Sequence, residues 1–72
     1  MPLFTDVSEE RAVRAFTKAG FWILKTHGAK HITMTDGAHR ITIPRHSRIN
    51  PYTLKAIIRS AGLTDDEFRK LL

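Results

Sequence analysis

The sequence predicts an α+β fold with its elements in the order α-β-β-β-α-α. Three observations carry this reading: helix-spaced apolar residues behind capping residues at both ends of the chain, short β-branched or alternating segments between them, and the turn dipeptide Asp36-Gly37 inside the alternating region. Ser8 can cap a first helix whose opening turn carries Glu9 and Glu10, where carboxylates suit the positive end of the helix dipole. Ala12, Val13, Phe16 and Ala19 then recur at helical spacing, and Gly20 supplies the stop.

Phe21 to Thr26 is aromatic and β-branched and reads as a strand. After the turn His27-Gly28, residues 29–35 alternate, with Lys30, Ile32 and Met34 on one face and Ala29, His31, Thr33 and Thr35 on the other. Asp36-Gly37 is a hairpin signal, and residues 39–43 alternate again, Ile41 and Ile43 opposite Arg40 and Thr42, until Pro44 ends the pairing. Asn50 can cap a second helix with Pro51 at its first position. Leu54, Ile57, Ile58 and Ala61 form its apolar stripe, and Gly62 ends it. Thr64 and Glu67 have capping-box spacing for a last helix presenting Phe68, Leu71 and Leu72. Tight turns make the three strands an antiparallel meander. The helix stripes then pack on the one sheet face that carries Ile32, Met34, Ile41 and Ile43, leaving the other face to water.

Seventy-two residues, 42% hydrophobic and 26% charged, allow one domain over residues 1–72 and no enclosed substrate cavity. The longest apolar run, Phe21 to Leu24, is far short of the roughly 20 residues that cross a bilayer, and the N-terminus lacks a secretion-signal pattern. The expected location is the cytoplasm. Without cysteine there is no disulfide, thiolate zinc site or cysteine nucleophile.

The net charge is +5, and its distribution is uneven. Residues 25–59 hold seven bases (Lys25, Lys30, Arg40, Arg45, Arg48, Lys55 and Arg59) against Asp36 alone, together with all four histidines. Such a block attracts a polyanion or an acidic protein surface. On the open face strand parity collects His31, Thr33, Arg40 and Thr42, of which the imidazole can act as acid or base near neutral pH. His27-x-x-x-His31 has metal-ligand spacing for a helix, but Gly28 and the period-2 pattern argue against a helix there. Converging carboxylates for two-metal chemistry are missing, so no metal or other cofactor is expected. Ser47 beside His46 is a sequence neighbour and not a triad. Trp22 belongs either to the core, under a helix, or to the open face. If Phe21 and Ile23 point inward, Trp22 and Leu24 point out, and the indole could stack an unpaired base.

Gly20-Phe21, Gly28-Ala29-Lys30-His31, Asp36-Gly37, Ile41-Thr42-Ile43-Pro44-Arg45-His46-Ser47, Asn50-Pro51-Tyr52-Thr53-Leu54 and Ala61-Gly62-Leu63-Thr64, in this order and spacing, resemble the HicA (YcfA-like) toxins over about residues 8–72. The resemblance implies a double-stranded-RNA-binding-domain-like fold and a type II toxin that cleaves mRNA, held inactive by a HicB-type antitoxin. It implies one essential histidine on the second strand, matched here by His31. Many members carry Gly-Ser before that histidine; Ala29-Lys30 stands here, which removes the small glycine and the hydroxyl. For His46 it implies a structural role, ordering the loop into the last helices.

Metal-free RNA cleavage needs a base for the 2′-hydroxyl and cations for the phosphorane oxygens. The expected site is therefore His31 as base, Arg40 across the hairpin on the phosphate, and Arg45, Lys25 and Lys30 as further contacts, with Trp22 for stacking. Two other classes remain open at this point: an RNA-binding module without catalysis, and a protein-interaction domain whose basic face docks an acidic partner.

Overall fold

Each helix begins at a side chain able to take up its unpaired amides. The computed structural model describes residues 4–27 and 30–72, leaving aside the side chains of residues 25–27. Its elements are α1 (Glu9–Lys18), β1 (Trp22–His27), β2 (His31–Thr35), β3 (Arg40–Pro44), α2 (Pro51–Ser60) and α3 (Asp65–Leu71), the order read from the sequence. Ser8 Oγ accepts from Arg11 N at 3.2 Å, and Asn50 Oδ1 accepts from Tyr52 N and Thr53 N at 2.9 and 3.3 Å. Thr64 and Glu67 form the reciprocal capping box, at 3.1 and 2.8 Å.

The sheet is antiparallel with strand order β1-β2-β3. Ile32 stands opposite Ile43 and Met34 opposite Ile41, and all four are buried. Both α1 and α2 pack over β3, whereas α3 packs on α1 and α2. Phe16 is the centre of the core. Its ring centroid lies 5.6 Å from that of Phe21 and 5.0 Å from that of Phe68, and Phe4 closes edge-on against Phe68 at 5.3 Å.

Ala15 and two residues outside the regular elements extend the core beyond the sequence reading. Val7 and Ile49 are both buried, and Ile49 N donates to Val7 O at 2.9 Å while Glu9 N donates to His46 O at 3.1 Å. The loop from β3 to α2 is thereby sewn to the segment that precedes α1.

At β1 the structure decides between the two readings of Trp22. Phe21 is buried, but Trp22 is 51% exposed, so its burial under a helix is overturned. Ile23 stands opposite the buried Met34 and so faces the helix side, as the outward reading of Trp22 requires, yet it is exposed. The register shifts between Ile23 and Lys25, leaving Leu24 as an extra residue, and the helices lie over the other edge of the sheet at β3.

The β2–β3 turn is longer than the bare Asp36-Gly37 signal suggests. Thr35 pairs with Arg40, so residues 36–39 form the turn and β3 starts one residue later than expected. The cause is the Asp36 carboxylate, whose Oδ1 accepts from Ala38 N at 2.9 Å and His39 N at 2.6 Å. Gly37 supplies the positive φ of 94°. His39 Nδ1 stands 3.1 Å from Asp36 Oδ2, and the far side of the ring docks on the α2–α3 turn. A Cβ on Gly62 would lie only 2.7 Å from His39 Nε2, so glycine at 62 serves both the positive φ of 77° and this close approach.

Two predictions follow from packing and from the turn. Phe68→Ala should cost about 3–5 kcal/mol in urea unfolding. Tyr52→Ala, at an exposed position, should stay within about 0.5 kcal/mol. An equal effect of the two would contradict the core described here. Asp36 is lowered from 3.8 to about 2 by the His39 amide first, then the His39 side chain and the Ala38 amide. Because the folded value lies below the unfolded one, its stabilisation is fully present above about pH 4 and is lost as pH falls toward 2. Asp36→Asn, which keeps the amide acceptor but not the charge, should flatten the unfolding midpoint's pH dependence in that window. An unaltered acid limb in Asp36→Asn would remove the carboxylate from the account.

Candidate nucleic-acid interface

The face of the sheet turned away from the helices is built from cross-strand rows. At the hairpin end Trp22, Thr35 and Arg40 stand in one row; next come Lys25, Thr33 and Thr42; at the far end are His27, His31 and Pro44. This face is not uniformly wet. Thr33, in the middle strand with neighbours on both sides, is buried, whereas Thr42 on the edge is exposed.

His31 is the first residue of β2 and is exposed. Lys30 precedes it in the turn and is exposed as well, and its carbonyl accepts from Arg45 N at 2.9 Å. This bond brings Arg45 to the His31 end. There Arg45 Nε lies 3.5 Å from Glu9 Oε1, so the guanidinium is tethered to the start of α1, with its side chain 43% exposed. Next to it lies an open hollow of about 360 Å³ lined by Ser8, Glu9, Glu10, Arg45, His46 and Ser47. His46 is exposed and holds the loop to α1 through its main-chain carbonyl, which accepts from Glu9 N.

The site residues predicted from sequence therefore fall into two groups. His31 stands at one end of the open face; Lys30 is next to it in the chain and the Arg45 main chain is bonded to Lys30, but the Arg45 side chain turns to Glu9 at the start of α1, on the helix side of the sheet. Arg40 and Trp22 share the other end, four residues along β2, a distance of about 13 Å. The expectation that Arg40 sits across the hairpin from His31, on the same phosphate, is corrected by this register: Arg40 pairs with Thr35, and the residue facing His31 on β3 is Pro44. Lys25 pairs with Thr33 through its backbone, and its side chain lies outside the described residues, as do Gly28 and Ala29.

Sequence reasoning missed Glu9 as the partner of Arg45. The contact joins residues 36 positions apart across a loop whose course only tertiary structure reveals. Among the described residues no group of three or more His, Cys, Asp or Glu could hold a metal ion, and no helix is long and apolar enough to cross a membrane. Asp36, the single acid between residues 25 and 59, spends its oxygens on its own turn.

No curated protein matches the chain. The family model described as HicA toxin of bacterial toxin-antitoxin matches residues 10–63, a span that runs from α1 through the whole sheet and α2. The chain belongs to the HicA family, the toxins of bacterial toxin–antitoxin systems, which act generally as ribonucleases on mRNA and are paired with an antitoxin.

Proposed function

We propose that the chain is an endoribonuclease that cuts mRNA without a metal ion, with His31 as its catalytic residue, and that a HicB-type antitoxin silences it by covering the open face. The observation that carries this reading is an exposed imidazole at the start of β2, on the face of the sheet turned away from the helices, with Lys30 beside it in the chain and the Arg45 main chain bonded to Lys30.

In the reaction His31 takes the proton of a 2′-hydroxyl. The 2′-oxygen attacks the adjacent phosphorus, the bond to the 5′-oxygen breaks, and that oxygen leaves with a proton from His31 or water. The products are a 2′,3′-cyclic phosphate and a 5′-hydroxyl. Lys30 and Arg45 stabilise charge on the non-bridging oxygens. Arg45 reaches the phosphate at the expense of its contact with Glu9. Lys25, Arg40 and Trp22 hold the strand on either side of the cut. The scarcity of carboxylates supports the absence of a metal from the mechanism, since Asp36 is committed to its turn. An open face excludes little water, so the rate enhancement is modest. Slow cutting of many messages suffices for a toxin.

His31→Ala should fold with the same unfolding midpoint as the parent chain. It should bind single-stranded RNA, yet yield no cyclic-phosphate product and no growth arrest, while the parent cleaves in EDTA. Full cleavage by His31→Ala would remove the imidazole from the mechanism, and parent activity abolished by EDTA would overturn metal independence. RNA retained without products by the parent chain itself would make the protein a binding module.

A further inference from the structure

The row at the hairpin end of the open face has a composition of its own. Trp22, the single tryptophan of the chain, is 51% exposed. Its ring is not loose on the surface, because Cη2 lies 3.7 Å from where a Cβ on Gly37 would stand. The indole thus rests along the β2–β3 turn with half its surface open to solvent. Between Trp22 and Arg40 the row has only Thr35, whose hydroxyl donates to His39 O at 2.6 Å and accepts from Gly37 N at 3.0 Å. Thr35 is therefore a short floor with its hydrogen bonds already made. Trp22 and Arg40 rise on either side of it, about 10 Å apart between Cα atoms by two strand spacings.

An aromatic plane beside a guanidinium, separated by a low floor, suits a nucleotide whose base is unpaired. The base stacks on the indole, and Arg40 takes the neighbouring phosphate. The exposed indole beside a single cation favours this occupant over an acidic protein segment, which would use Arg40 but leave the ring unstacked, and over an apolar one, which would leave Arg40 unpaired. The nearest carboxylate, Asp36, faces its own turn amides and the His39 ring, so it leaves the cationic row unopposed.

The distance to His31 then has a consequence. About 13 Å separates this row from the start of β2, which a strand stacked at about 3.4 Å per nucleotide covers in roughly four nucleotides and an unstacked strand in fewer.

We propose that Trp22 and Arg40 form a nucleotide subsite that stacks an unpaired base about two to four nucleotides from the scissile phosphate, so that the protein selects single-stranded RNA of a minimum length. This rests on the RNA-cleaving reading of His31, and deepens it by setting which substrates reach that residue productively.

The test uses uncleavable 2′-O-methyl RNA in EDTA, with two readouts. Fluorescence of Trp22 reports stacking directly, and anisotropy of a labelled octanucleotide reports affinity in variants that lack the indole. The octanucleotide should quench the parent chain's fluorescence, and a duplex or a dinucleotide should not. Trp22→Ala should weaken octanucleotide binding by about 5- to 150-fold, the range of one base stacked on an aromatic ring, and Trp22→Phe should recover most of it. Arg40→Ala should lower the salt slope by about one unit.

Octanucleotide bound with unchanged fluorescence, and equally well by Trp22→Ala, would overturn the subsite while leaving the His31 reading intact. Loss of a partner protein's binding in Trp22→Ala, with RNA affinity unchanged, would overturn it too by assigning the surface to a protein. No RNA binding by the parent chain at any length would overturn the subsite together with the reading it rests on.

Discussion

A sheet with a core on only one of its faces is the constraint on which this molecule turns. Seventy-two residues supply one layer of helices, and that layer goes where Ile32, Met34, Ile41 and Ile43 point. Alternation then forces the intervening residues to the other side, where the described residues provide no second layer. Threonine, histidine, arginine and one tryptophan occupy those positions, a set that tolerates water and suits a polyanion. The open face is thus what remains when the chain has buried the apolar surface that one layer of helices can cover.

Both ends of that face are fixed by contacts made outside it. At the hairpin end, the Asp36 carboxylate gathers the turn amides and the His39 ring seats against Gly62, so the turn beneath Trp22 is braced on the α2–α3 corner. At the other end, main-chain bonds from Arg45 to Lys30, from Glu9 to His46 and from Ile49 to Val7 tie β2, the β3–α2 loop and the start of α1 together. Side chains held on strands and braced turns keep their mutual geometry better than side chains on free loops. The Glu9–Arg45 contact adds a further tie at this end, between the arginine side chain and the start of α1.

Much of this was legible in the sequence because it is local. Ser8, Asn50 with Pro51, and Thr64 with Glu67 cap the helices they were expected to cap, and strand parity put Ile32, Met34, Ile41 and Ile43 on one face and Thr33 and Thr42 on the other, although Thr33 in the middle strand is buried there. The family, too, was readable from motif order, and the match to residues 10–63 bears it out. What failed was longer in range. Ile23 shares the face of Met34 but is exposed, because the helices pack over β3 and the β1 edge has no core above it. The separation of Arg40 from His31 follows from how many residues the turn uses, and an Asx-type turn spanning residues 36–39 sets a register that Asp36-Gly37 alone does not specify. Burial of Val7 and Ile49 depends on two loops meeting, for which sequence carries no periodic signal.

Whether RNA lies on the helix-free face of the sheet can be read from amide chemical shifts of the labelled protein titrated with an uncleavable single-stranded RNA. The largest changes should fall at Trp22, His31, Thr33, Arg40 and Thr42, with the outer surfaces of α2 and α3 silent. Changes concentrated at Arg59, Arg69 and Lys70, with the sheet unmoved, would contradict RNA binding on that face.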